Sequence, residues 1–136
     1  MATADQINQF LESDFPQCRT RVVSIGAQSS RVHHRVEVSD LRPGGTVSGP
    51  VMFAVADLAL YTAILGEKGL IPLAVTTNIN INFLNKPSAS KDLMAECRLI
   101  KVGTKLVIGD VFIFSEGMSV PVAHATGTYS IPLTVK

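Results

Sequence analysis

The stretch GPVMFAVADLALYTAIL, Gly49 to Leu65, is apolar almost throughout, yet it carries one carboxylate, Asp57, in its middle. Its length approaches the roughly twenty residues that cross a bilayer. Asp57 near the centre, where a carboxylate costs about 2.5–3.5 kcal/mol on insertion scales, argues against a span. So do Pro50 near the start and the lack of a polybasic flank. A helix apolar on every side is then expected to be surrounded by protein. Gly44, Gly45, Thr46 and Ser48 supply turn and cap chemistry ahead of it, and Pro50 is tolerated in a first turn, where its missing N–H is no loss. Gly66 and Gly69 bracket the exit. The stretch reads as a buried helix with a buried carboxylate.

The flanking sequence has other periods. In ADQINQFLESDF, Ile7, Phe10, Leu11 and Phe15 recur at helical spacing, which predicts a short amphipathic helix. RTRVVSIGAQ and SRVHHRVEVSD read as two strands around a polar turn, with Val32, Val36 and Val38 on β-favouring ground. Past the apolar run come PLAVTTNININFLNK, DLMAECRLIKVG, KLVIGDVFIFSEG and VPVAHATGTYSIPL, four further strands. Ile79, Ile81 and Phe83 alternate with Asn78, Asn80 and Asn82, a one-sided strand pattern. KPSASKD, KVGTK and SEGMS supply the turns. Short turns favour an antiparallel sheet, so the fold class is α+β: a curved antiparallel sheet wrapped round one long buried helix, with a short helix in front. No boundary, repeat or low-complexity segment divides residues 1–136, which read as a single domain.

Twelve basic and eleven acidic residues, scattered along the chain, give no polyelectrolyte signal for nucleic acid or an anionic membrane. Cys18 and Cys97 stand alone without a CxxC pair, and no leader-like segment opens the chain. A reduced, cytoplasmic setting with structural thiols is the expectation.

GGTVSGPVMFAVADLALY, AVTTNININFLNKP, IKVGTKLVIGDVFIF and AHATGTYSIP, in that order, resemble the hotdog-fold thioesterases, specifically the phenylacetic-acid-pathway (PaaI-like) branch, over about residues 20–133. The resemblance implies hydrolysis of acyl-CoA thioesters by homodimers that pair into homotetramers, with no cofactor beyond the coenzyme A of the substrate. The family carries a His-Gly-Gly-like turn into the central helix and an acidic residue nine positions after the His. By that carry-over Asp57 matches the catalytic carboxylate, Gly49 the residue whose N–H polarises the thioester carbonyl, and Thr76 a hydroxyl that holds the water or the carboxylate. Ser48 stands where the family has His, and Pro50 replaces the second Gly. The family's Arg before Pro is replaced by Asn85-Lys86.

Elementary chemistry agrees with those roles. Thioester hydrolysis needs a group that activates water or attacks directly, and donors where negative charge develops. A helix N-terminus supplies such donors, and a residue without Cβ lets an acyl group approach them. Eight residues separate Gly49 from Asp57, about 12 Å along one helix at ~1.5 Å per residue, so one thioester carbon does not meet both. A two-fold dimer brings Asp57 of one copy to Gly49 of the other and makes two equivalent sites.

Around this pair, Ser48 reads as a cap or a substrate hydrogen-bonding group, and Tyr61, one turn beyond Asp57, as core or acyl-pocket wall. Phe83 and Leu84 are candidates for contact with the pantetheine arm or acyl group. Lys86, Lys101 and Lys105, in predicted turns, are candidates for the nucleotide phosphates, with Lys86 and Lys105 favoured. His33 and His34 are adjacent on a predicted strand and point to opposite faces, which excludes a two-ligand metal clamp. His124 reads as a satisfied or surface histidine. Without the resemblance, Asp57 is equally readable as a hydrogen-bonded structural acid, and its role as nucleophile or general base stays open. Replacement of the family His leaves a non-catalytic acyl-CoA or acyl-carrier binding protein as the alternative; a hotdog dehydratase fits less well, since no His lies in the motif.

Overall fold

A computed structural model describes residues 1–132. Helix α1 (Ala4–Asp14) starts from a capping box in which Thr3 and Gln6 exchange hydrogen bonds, and it buries Ile7 and Leu11. Strands β1 (Thr20–Gly26) and β2 (Ser29–His34) form a hairpin. A 3₁₀ turn over Val38–Asp40 and a loop lead into helix α2 (Gly49–Lys68). Strands β3 (Val75–Phe83), β4 (Leu93–Val102), β5 (Leu106–Ser115) and β6 (Ala123–Ser130) follow. All pairs are antiparallel in one sheet, in the order β1-β2-β4-β5-β6-β3.

The inner face of the sheet carries the core. Ala95, Cys97, Leu99, Val107, Val111, Ile113, Ala123 and Ala125 are buried there against Met52, Val55, Ala59, Leu60 and Ala63 of α2. Burial pushes the Cys97 thiol up to about 12, an inert structural group. Leu60 marks the tightest approach: a Cβ on Gly109 or Gly127, register partners on β5 and β6, would lie 2.7 or 2.6 Å from its methyls. Only glycine leaves room for α2 to settle to that depth.

Several expectations change. Ser48 caps α2 as expected, but the helix runs one turn further than the apolar run, to Lys68, with Gly66 buried inside it and Gly69 as its cap at φ +92°. Gly66 is needed there because a Cβ would meet Ile25 at 2.7 Å. The helix is not enclosed on every side: Pro50, Phe53 and Ala54 are exposed and Asp57 and Tyr61 only half-buried. A high apolar content does not reveal that one stripe of a core helix lacks a cover. Strand β2 stops at His34, and Val38, 85% exposed, lies in the 3₁₀ turn. Helix α1 stops at Asp14 and leaves Phe15 as its cap. Lys101 lies on β4, not in the turn after it. On β3 only Ile79 and Ile81 reach the core; as an edge strand it is otherwise exposed, Phe83 included.

Candidate active site

Asp57 leaves α2 on the uncovered stripe, and two hydroxyls meet it. Thr76 on β3 donates to Asp57 Oδ1 at 2.8 Å, and Tyr129 on β6 donates to the same atom at 2.6 Å. Thr76 and Tyr129 are register partners, and the register shifts between Thr76 and Asn78. Ile79 and Ile81 pack on the core, so unbroken alternation would turn Thr77 inward. The bulge turns Thr76 inward instead and leaves Thr77 to donate to the Thr128 carbonyl at 3.2 Å. Tyr129 is 3% exposed. Burial first, then the charge of Asp57, pushes its phenol up from the ordinary value of 10, so it stays protonated and donates a hydrogen bond. Its ring stacks on Tyr61, with centroids 5.9 Å apart.

Asp57, Tyr61 and Tyr129 line a cleft of 680 Å³ with Val55, Leu58 and Ala74, a size suited to an organic ligand. A second polar group occupies another part of its wall. Arg19 Nη2 donates to Asp40 Oδ1 at 2.6 Å, and His34 Nε2 shares a hydrogen bond with Asp40 Oδ2 at 3.0 Å. His34 Nδ1 lies 2.9 Å from the Thr20 hydroxyl, and the Glu37 N–H donates to Asp40 Oδ2 at 3.0 Å. Burial alone would raise the Asp40 carboxyl; the hydrogen bond from Arg19, joined by the Glu37 N–H and His34, outweighs it and holds the carboxyl below the ordinary value. The Asp40 carbonyl accepts the Ser48 N–H at 2.9 Å, which ties this group to the start of α2.

The other expected residues divide by place. Gly49 opens the first turn of α2, whose N–H groups have no carbonyl within the helix. A Cβ there would lie 3.2 Å from the ring of Phe83. Ser48 accepts from the Val51 N–H at 3.4 Å, a cap. Phe83 and Leu84 are half-exposed at this end, and Lys86 is exposed just beyond. Lys105 is exposed at the opposite end of the sheet, before Leu106, whose partner is Ser130. One chain therefore cannot offer both lysines to one phosphate group. His33 and His34 do point apart: His33 Nε2 lies 3.0 Å from Asp92 and 3.9 Å from Glu116. These three could hold a cation, their donor atoms lying within 4.8 Å of one another. His124 is satisfied by Asp110 at 3.0 Å.

Tyr129 and the Arg19–Asp40–His34 group were not anticipated. Tyr129 had a signal: alternation in AHATGTYS places it on the face of Ala123, Ala125 and Gly127, and a buried phenol needs a partner.

Residues 44–122 match the family model described as the thioesterase superfamily. A candidate thioesterase from Silicibacter sp. TM1040 is 43% identical, with a TM-score of 0.88 over 96% of this chain and 92% of that one. The PaaI protein of the E. coli phenylacetic acid degradation operon is 19% identical, with a TM-score of 0.78 over 93% and 91%. A hypothetical thioesterase from Streptococcus pneumoniae, solved with coenzyme A, is 19% identical, with a TM-score of 0.78 over 91% and 95%. The sheet curved around one helix is thus the hotdog fold these proteins share. No curated protein matches the sequence.

Proposed function

Given that this chain belongs to the thioesterase superfamily, we propose that it hydrolyses an acyl-CoA thioester to a free acid and CoA in sites shared between two copies. The observation that carries this reading is Asp57, half-buried on a cleft and oriented by hydroxyls from two strands. Its carboxylate takes a proton from water as the water oxygen attacks the thioester carbon. Charge developing on the carbonyl oxygen meets the Gly49 N–H at the N-terminus of α2 in the partner subunit. Collapse breaks the C–S bond to give the free acid, and the CoA thiolate leaves and takes up the proton held by Asp57, which restores the carboxylate.

The dimer is supported by what one chain leaves uncovered: the stripe of α2 with Phe53 and Ala54, and the edge strand β3 with Val75 and Phe83 half-exposed. An unpaired edge is a template for a second strand. Further pairing to a homotetramer would cover exposed Ile100 and Phe112. The bound coenzyme A of the Streptococcus pneumoniae neighbour supports a CoA ligand here; Phe83 and Leu84 would flank its pantetheine arm, and Lys86 of one copy and Lys105 of the other would approach the phosphates. Ser48 and Tyr61 would border the thioester and the acyl group. The setting is a reduced cytoplasm.

Purified protein assayed with short, long and aromatic acyl-CoAs by free-thiol release tests the reading. Turnover that disappears in Asp57→Asn supports it. Tight acyl-CoA binding without turnover in the wild type overturns it in favour of a non-catalytic binding protein.

A further inference from the structure

A carboxylate free to rotate about its last bond offers either oxygen to a proton, since that torsion is broad and nearly two-fold. At Asp57 the two oxygens are unequal. Thr76 and Tyr129 both donate to Oδ1, at 2.8 and 2.6 Å, and among the described residues no group donates to Oδ2. The arrangement is specific: the β3 bulge places Thr76 opposite Tyr129, and the stack on Tyr61 fixes the phenol ring. The phenol also lies 3.4 Å from the Asp57 carbonyl, but its single proton belongs to the shorter contact. An oxygen that already accepts two hydrogen bonds has both lone-pair directions engaged, and its space is filled.

We propose that Tyr129 is a positioning residue which, together with Thr76, commits Oδ1 of Asp57 to hydrogen bonds and leaves Oδ2 as the atom that takes the proton from the attacking water. The proposal rests on the hydrolytic reading and adds the identity of the reacting atom. Tyr129 transfers no proton: burial and the neighbouring charge keep the phenol protonated.

Tyr129→Phe removes one hydroxyl and keeps the ring. Loss of a charge-assisted hydrogen bond of this kind lowers kcat about tenfold to a hundredfold, with KM within about twofold of wild type and melting little changed. The same substitution added to Asp57→Asn causes no further loss, because the group it orients is gone. A kcat within about twofold of wild type, or a loss carried wholly by KM, overturns the proposal. Should Tyr129→Phe not fold, proton NMR of the wild type decides. A downfield, slowly exchanging hydroxyl resonance that vanishes in Asp57→Asn is expected, and a phenol exchanging as fast as free tyrosine overturns it. Asp57→Asn that retains full hydrolysis instead defeats the hydrolytic reading itself, an outcome separate from an inert Tyr129→Phe beside an inactive Asp57→Asn.

Discussion

Asp40 and Asp57 line the same cleft, and each is held by side chains distant in sequence, yet their surroundings differ in kind. Asp40 is 4% exposed and uses both oxygens, Oδ1 toward Arg19 and Oδ2 toward His34 and the Glu37 N–H. Asp57 is half-buried and uses one oxygen, toward two neutral hydroxyls. A carboxylate engaged on both sides and balanced by a guanidinium has no unengaged oxygen to offer a ligand. One engaged on a single side, next to open space, keeps a lone pair for chemistry. On the hydrolytic reading proposed above, the unused oxygen of Asp57, more than its burial, is what separates it from Asp40.

The contrast breaks most visibly by substitution at Asp57. Asp57→Asn is expected to lower kcat about a hundredfold to ten-thousandfold while stability in urea denaturation stays within about 1 kcal/mol of wild type. Comparable losses in both quantities would erase the distinction. Asp40→Asn should act the other way, costing about 2 kcal/mol in the same denaturation measurement because the charge-assisted hydrogen bonds from Arg19 and His34 to a buried carboxylate are weakened; an unchanged midpoint would remove its structural role. Co-expression of Asp57→Asn with Gly49→Val sharpens the placement of Asp57 in a shared site. Random pairing makes half the dimers mixed, each with one intact site, so activity should return to about a quarter of wild type; no recovery would refute sharing. The smallest effect lies in acid. The Asp40 carboxyl is held lower in the folded chain than when unfolded, so its contribution is present above the ordinary carboxylate value near 3.8 and is lost as pH falls through the folded value. Melting curves of wild type and Asp40→Asn should therefore begin to converge below about pH 4 and draw together as the pH falls further.

The two carboxylates also differ in how legible they were. Asp57 interrupts an apolar run, a local anomaly that any reading of the stretch must explain, and Ser48 and Pro50 announce the helix that carries it. Its partnership with Thr76 came through the family resemblance, across nineteen positions. Tyr129 lies 72 positions from Asp57, and the bulge that sets Thr76 opposite it is a backbone event with no residue signature in NININF. Asp40 sits in a segment read as strand; Arg19 and His34 meet it only once the β1–β2 hairpin and the 3₁₀ turn have formed. Local pattern predicts elements well because period and capping are local. Partners that converge through sheet order are set by topology.

Leu60 follows Asp57 by three positions on α2, and its methyls rest where Gly109 and Gly127 leave no Cβ. Those two glycines act as a depth stop for the whole helix. A methyl added at either one would press on Leu60, lift α2 away from the sheet and carry the Asp57 carboxylate off the hydroxyls of Thr76 and Tyr129. The height at which the carboxylate meets those hydroxyls is thus set by two missing side chains on the facing sheet.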